Sequence, residues 1–241
     1  FARCEGGDYQ VAARAFVVRR GKGKTVIAGY PWFLDWGRDT LIAARGLLAA
    51  GYVEDVRQIL LTFAELERGG TLPNYLSGAG EGSRETSDAP MWFGLVAEEL
   101  AEIAGPSVYR ERTESGRTLG DVLGSIADGY LRGTENGVHV DLESGLVWSP
   151  PHFTWMDTNY PAATPREGYP IELAVMFARL LRQVARIDAS KRAPFELMAA
   201  RTERSLASFY RPELGYCADT LHAPAGTPAR DARADDHLRP N

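Results

Sequence analysis

Apolar residues recur at helical spacing along most of this chain. Leu41, Ile42, Leu47 and Leu48 form one face after Asp39, and Gly51 supplies a C-terminal stop. Val53, Val56, Ile59, Leu60, Phe63 and Leu66 repeat the spacing up to Gly69-Gly70. With almost no loop between them, these two segments are expected to pack antiparallel. A third helix holds Trp92, Leu95, Val96, Leu100 and Ile103, with Asp88 placed to cap it and Pro90 tolerated in its first turn. A fourth runs from about Thr118 to Leu131 on Leu119, Val122, Leu123 and Ile126. Pro170 opens a fifth, with Leu173, Phe177, Leu180, Leu181 and Val184 on its apolar side. Pro194 opens a sixth, carrying Phe195, Leu197, Met198, Leu206 and Phe209.

Between these segments the pattern changes. Asp8 to Arg20 is apolar without deciding between helix and strand. The glycine turn in Arg20-Gly-Lys-Gly-Lys-Thr25 before Val26 and Ile27 makes a hairpin plausible. Gly23-Lys24-Thr25 resembles the end of a phosphate-binding loop, but Val18 stands where the full pattern needs glycine, so a turn is the better reading. Gly137-Val-His-Val140 and Leu146-Val-Trp148 flank Glu143-Ser-Gly145 as a small hairpin. The stretches 70–87 and 224–236 read as loops. No strand-helix alternation of the kind a parallel sheet needs is present. The expected class is all-α: six or so helices in pairs, with long loops at one end of the pairs lining a central pocket.

At 241 residues and 44% hydrophobic, the chain can fill one domain or a large part of a bigger one. Its formal charge of -5 is spread over both signs with no basic stripe. That argues against nucleic acid or an anionic membrane as partner and fits a neutral one. No run of about 18 apolar residues occurs, so no membrane span is expected. Cys4 and Cys217 make no disulfide framework, which fits a reducing, cytoplasmic compartment. Phe1 at one end and Leu238-Arg-Pro-Asn241 at the other lead us to expect a piece of a longer protein.

The chemistry-bearing residues cluster in two stretches, Tyr30-Pro-Trp-Phe-Leu-Asp-Trp-Gly-Arg-Asp-Thr40 and Phe153-Thr-Trp-Met-Asp157. His139, His152, His222 and His237 form no metal pair at helical spacing, and there is no Gly-x-Ser-x-Gly elbow or cysteine nucleophile motif. Carboxylates, arginines, amides and tryptophans remain, which is the inventory of a sugar site. Glycoside cleavage needs one carboxylic acid, one opposing carboxylate and aromatic surfaces for the ring. Asp157 is the candidate acid. Trp155 and Met156 beside it would raise its pKa; the alternative is a carboxylate capping a loop. Arg38 and Asp39 place a donor fork beside an acceptor, suited to vicinal hydroxyls. Alternatively Asp39 caps its helix and Arg38 pairs with it. Glu172 is a second carboxylate, or only a helix-dipole partner. Arg166 is placed to tether pocket loops, and Asn74 and Asp88 to face the site. Trp36, Trp92 and Trp155 supply its aromatic surfaces. No metal or cofactor is implied.

Five colinear motifs carry a resemblance. Ala28-Gly-Tyr-Pro-Trp-Phe-Leu-Asp-Trp-Gly-Arg-Asp-Thr40, Leu72-Pro-Asn74, Ser87-Asp-Ala-Pro-Met-Trp-Phe93, Phe153-Thr-Trp-Met-Asp157 and Thr164-Pro-Arg-Glu-Gly-Tyr-Pro-Ile-Glu172 resemble the amylo-α-1,6-glucosidase (glycogen debranching enzyme C-terminal) family. The resemblance implies an (α/α)6 toroid, of which residues 1–241 would be the N-terminal half or more. It also implies an inverting hydrolase that removes the α-1,6-linked glucose left at a trimmed branch of glycogen or a related α-glucan. It places the general acid at Asp157, Arg38 and Asp39 on the terminal glucose with Trp36 nearby, and the general base beyond Asn241. The 241-residue chain alone is then expected not to turn over. Glu85 and Ser87 depart from the family's usual Tyr-Asn-Thr before the Asp-Ala pair. The alternatives are a non-catalytic glucan-binding module, or a related toroid glucosidase or phosphorylase acting on another glucoside.

Overall fold

A computed structural model of the chain describes residues 8–78, 80–158 and 164–239. In chain order these form α1 (Asp8–Ala15), β1 (Val17–Arg20), β2 (Gly23–Val26), β3 (Asp35–Trp36), α2 (Gly37–Ala49) and α3 (Val53–Leu66). Then come β4 (Tyr75–Ser77), β5 (Gly80–Glu81), α4 (Ala89–Ala104), α5 (Leu119–Arg132), β6 (His139–Val140) and β7 (Val147–Trp148). The last group is β8 (Gly168–Pro170), α6 (Ile171–Ile187), α7 (Arg192–Ser205), β9 (Tyr210–Arg211), β10 (Tyr216–Cys217), β11 (Thr220–His222) and β12 (Arg233–Ala234). The chain is helix-rich with small sheets.

The apolar stripes decide how the helices stack. Val56, Ile59, Leu60 and Phe63 of α3 are fully buried. Each such side chain contributes about 1.5–3 kcal/mol relative to exposure. Helix α2 packs on α4 and α4 on α6, while α3, α5 and α7 lie against them as partners. Three helix pairs thus stand in a row. The members α2, α4 and α6 run the same way. Arg38 meets Asp88 and, further along both helices, Arg45 meets Glu99; Arg179 of α6 meets Glu98 of α4 at 2.5 Å. Their N-terminal ends therefore share one end of the molecule, and the polar loops that precede them gather there.

Local signals account for several boundaries. A reciprocal capping box opens α5: Asp121 N–H donates to Thr118 Oγ1 at 3.0 Å and Thr118 N–H to Asp121 Oδ2 at 2.8 Å. The segment 8–20 splits into α1 and β1, and β1 pairs with β2 as a hairpin in which the Lys24 ammonium meets Asp55. β6 and β7 form the second expected hairpin. Two expectations need correction. Helix α7 begins at Arg192, two residues before Pro194, because a proline in the first turn has no hydrogen bond to lose. The stretch 224–236 is not merely a loop. β12 pairs with β11, and β11 with β8, in a three-stranded sheet over a second apolar cluster that includes Trp148, Tyr169 and Phe209. These strands are two or three residues long, too short to carry a period.

No helix among the described residues is long and apolar enough to cross a membrane. Cys217 is an exposed free thiol, and Cys4 lies outside the described residues.

Candidate active site

The start of α2 is fixed by a backbone junction. β3 pairs with β4, setting Asp35 opposite Leu76 and Trp36 opposite Tyr75, and Gly37 N–H then donates to Asn74 O at 2.8 Å. The approach is close enough that a Cβ on Gly37 would sit 2.4 Å from Pro73 O. Asp35 is buried in a two-point ion pair with Arg20, at 2.5 Å for each contact, and has a structural part. Arg38 is the first charged residue the helix presents.

Arg38 joins three segments. Its Nε donates to Asp88 Oδ2 at 2.6 Å and its Nη1 to Asp157 Oδ2 at 2.8 Å. Arg38 is 6% exposed and Asp88 1%. Burial disfavours the charged guanidinium, but the two carboxylates outweigh that and push its pKa above the ordinary value. Asp88 stands at the N-cap position of α4, as expected, yet its side chain accepts nothing from that helix. Thr86 Oγ1 donates to its free oxygen at 2.9 Å, and the carboxylate is committed to Arg38. Asp39 is likewise not a cap, since α2 begins at Gly37 after Trp36. It is exposed in the first turn. Desolvation raises its pKa, the charges of Asp157 and Asp88 add to this, and Arg38 opposes it.

The loop bearing Asp157 is stitched to the segment before α4. Ser87 N–H donates to Phe153 O at 2.8 Å, the Ser87 and Ser149 hydroxyls are 2.8 Å apart, and Tyr130 Oη donates to Ser87 O at 2.7 Å. Trp155, expected beside the acid, lines another cleft, while Trp36 and Phe153 share the one that holds Asp157. The Asp157 side chain is 30% exposed and its close contact is the Arg38 guanidinium. Trp155 turns the other way, with Arg166 Cζ 5.8 Å from its ring centroid. Neighbours in an irregular loop need not share surroundings, and here they line different clefts.

Arg166 organises a second cluster. Its side chain is fully buried and its backbone left-handed, with φ of 53°. Nη1 and Nη2 donate to the two oxygens of Glu172 at 2.6 and 2.7 Å, and Nε and Nη2 to Asp219 at 2.8 and 3.0 Å. Nη1 also reaches Thr154 Oγ1 at 2.8 Å. Arg166 is thus the expected loop tether, and Glu172 is more than a dipole partner for α6. Burial pushes the Glu172 carboxyl up, Asp88 adds to this, and Arg166 opposes it. Asp219 went unnoticed in the sequence. It has no aromatic or charged motif around it, and only the pairing of β11 with β8 brings it here.

Three clefts border on the Arg38 group. One of about 440 Å³ holds Trp36, Asn74, Tyr75, His152 and Asp157. A second of about 580 Å³, between α2, α4 and α6, holds Asp88, Trp92, Trp155 and Glu172. A third of about 490 Å³ holds Arg38 and Asp39. Nine of the ten residues singled out from the sequence therefore line these three neighbouring hollows rather than one, and the tenth, Arg166, is buried behind them holding Glu172. A larger hollow of about 990 Å³ lies between α5 and the C-terminal end of α6, away from these groups. Among its charged lining residues, Arg117 pairs with Glu67 and Lys191 with Asp128.

The family model described as amylo-alpha-1,6-glucosidase matches residues 11–241. A glycogen debranching enzyme of Saccharomyces cerevisiae is 24% identical over 223 aligned residues, which cover 70% of this chain and 14% of the yeast protein. The chain thus spans well under two thirds of that relative's length. A match over nearly all of the sequence places this chain in the amylo-alpha-1,6-glucosidase family.

Proposed function

We propose that this chain is part of an inverting glycoside hydrolase that removes α-1,6-linked glucose from branch stubs of glycogen or a related α-glucan. The observation that carries the reading is the convergence of Arg38, Asp88 and Asp157 from three separate segments, beside clefts lined by Trp36, Trp92 and Trp155. Asp157 is the general acid. With Oδ2 held by Arg38, Oδ1 is the oxygen that delivers the proton to the leaving glycosidic oxygen, and Arg38 offsets the charge that then appears on the carboxylate. Arg38 and Asp39 bind the terminal glucose, and Glu172, held by Arg166, offers an acceptor to a hydroxyl in the adjoining cleft. The water-activating base comes from sequence after Asn241, about 6.5–9.5 Å from the acid as inversion requires. The three helix pairs are then one arc of a six-pair (α/α)6 ring.

One observation favours a rival. A carboxylate already paired with a guanidinium is suited to gripping hydroxyls, as a glucan-binding module without chemistry would do. The test is the full-length protein on a branched limit dextrin, with the released glucose read by NMR. Initial β-glucose is expected. Initial α-glucose would overturn inversion, and saturable binding without glucose would favour the module.

A further inference from the structure

Among the described residues three buried side-chain polar atoms have no hydrogen-bond partner: Asn74 Oδ1, His152 Nδ1 and Arg211 Nε. Arg211 Nε is accounted for by Asp236 Oδ1 at 3.0 Å in an ion pair. The other two both belong to side chains that line the Asp157 cleft. Buried polar atoms without partners are few in folded proteins, and each calls for an explanation. Two in one hollow call for a shared one.

The backbone holds both residues firmly. Asn74 N–H donates to Ser83 O at 2.7 Å and Asn74 O accepts from Gly37. His152 has φ of 64°, in the left-handed region that costs a non-glycine residue energy, and its N–H donates to Pro165 O at 2.8 Å. These bonds fix where each side chain leaves the backbone at the wall of the cleft. The cleft wall adds Trp36 and Tyr75, with ring centroids 5.4 Å apart. Its described lining includes no lysine or arginine, and its carboxylates are Glu85 and Asp157. A neutral ligand rich in hydroxyls fits that composition, and an anion does not.

We propose that this cleft is a sugar subsite on the leaving-group side of Asp157, where Asn74 Oδ1 and His152 Nδ1 accept hydrogen bonds from hydroxyls of the glucan unit that stays behind. This rests on the function proposed above, and it assigns a role to His152, which no motif singles out. Arg38 and Asp39 line a different cleft, so the cleaved glucose and the retained chain lie on opposite sides of the acid. Each hydroxyl bond forms away from bulk water, where it discriminates between ligands with and without the hydroxyl.

The test compares two substrates on the full-length protein: α-glucosyl fluoride, whose leaving group carries no sugar, and a maltooligosaccharide bearing one α-1,6-linked glucose. Glycine and asparagine both accept the backbone conformation of residue 152, so His152→Gly removes the acceptor and His152→Asn restores a polar atom without strain. For His152→Gly, the ratio of kcat/KM on the branched substrate to that on the fluoride should fall at least ten-fold. His152→Asn should stay within about three-fold of wild type, and Asn74→Ala should lower the ratio independently. An equal fall on both substrates, or an unchanged ratio, overturns the subsite. If wild type cleaves neither substrate, the hydrolase reading fails and calorimetry decides the subsite: a Kd for the branched oligosaccharide raised at least five-fold in His152→Gly supports it, and an unchanged Kd overturns it.

Discussion

The Arg38 guanidinium donates from Nη1 to Asp157 Oδ2 at 2.8 Å, closing a separation of 119 residues. The same side chain holds the buried Asp88, so one cation fixes the loop before α4 and the loop after β7 relative to the start of α2. Removing it leaves Asp88 buried and unpaired. Arg38→Ala should cost about 3–5 kcal/mol in denaturant unfolding, the range for breaking one side of a buried pair. Adding Asp88→Ala should recover part of that loss. Strict additivity of the two substitutions would show that the pair is not coupled.

Asp157→Asn in the full-length protein should lower glucose release from a branched dextrin by roughly 10²–10⁴-fold while glucan binding persists, since a positioned general acid supplies acceleration of that order. Activity above about a hundredth of wild type would remove Asp157 from the role of acid.

Two glycines of α2 should respond in opposite ways. A Cβ at Gly37 would meet Pro73 O at 2.4 Å, while Gly46 has nothing within 4 Å. Gly37→Ala should therefore destabilise by about 1–3 kcal/mol and weaken glucan binding by moving Arg38. Gly46→Ala should stabilise by about 0.5–1 kcal/mol. Thermal unfolding of the two variants checks the contrast.

Arg166 serves two carboxylates, and each carboxylate has Arg166 as a two-point partner. Arg166→Ala takes the two-point partner from both, leaving Asp219 with the more distant Arg239 at 3.5 Å, and should cost about 3–5 kcal/mol, more than Asp219→Asn, which leaves Glu172 paired. Asp219→Asn should still raise the glucan Kd, because Arg166 then holds Glu172 less firmly. The reverse order of stabilities would contradict Arg166 as the hub.

Asp235 sets a pH dependence. Burial alone would raise its pKa, but hydrogen bonds from His237, Arg239 and His222 outweigh that and hold it well below the ordinary 3.8. A depressed folded-state value favours folding above the unfolded value, and that contribution is lost as pH falls through the folded one. The unfolding temperature of Asp235→Asn should therefore lie furthest below wild type at about pH 5–6, and the gap should close from roughly pH 4 downward. A gap that widens in acid would reverse the assignment.

What the sequence by itself determined is local. The helical period of Leu41 to Leu66, the capping pair Thr118 and Asp121, and the turns of both hairpins are written in residues within a few positions of one another, where steric and capping preferences act. The grouping of aromatic and charged residues around Arg38 and Asp157 was legible for the same reason. The tertiary structure alone decided which groups meet. Asp157 meets the Arg38 guanidinium while its neighbour Trp155 lines another cleft, Asp88 faces Arg38 instead of its own helix, and Asp219 reaches Arg166 across 53 residues. Strands of two or three residues, and contacts between chain segments far apart in sequence, leave no period for a reader of the sequence. They exist because packed helices bring loops to a common end, and there the cost of burying a charge selects its partner.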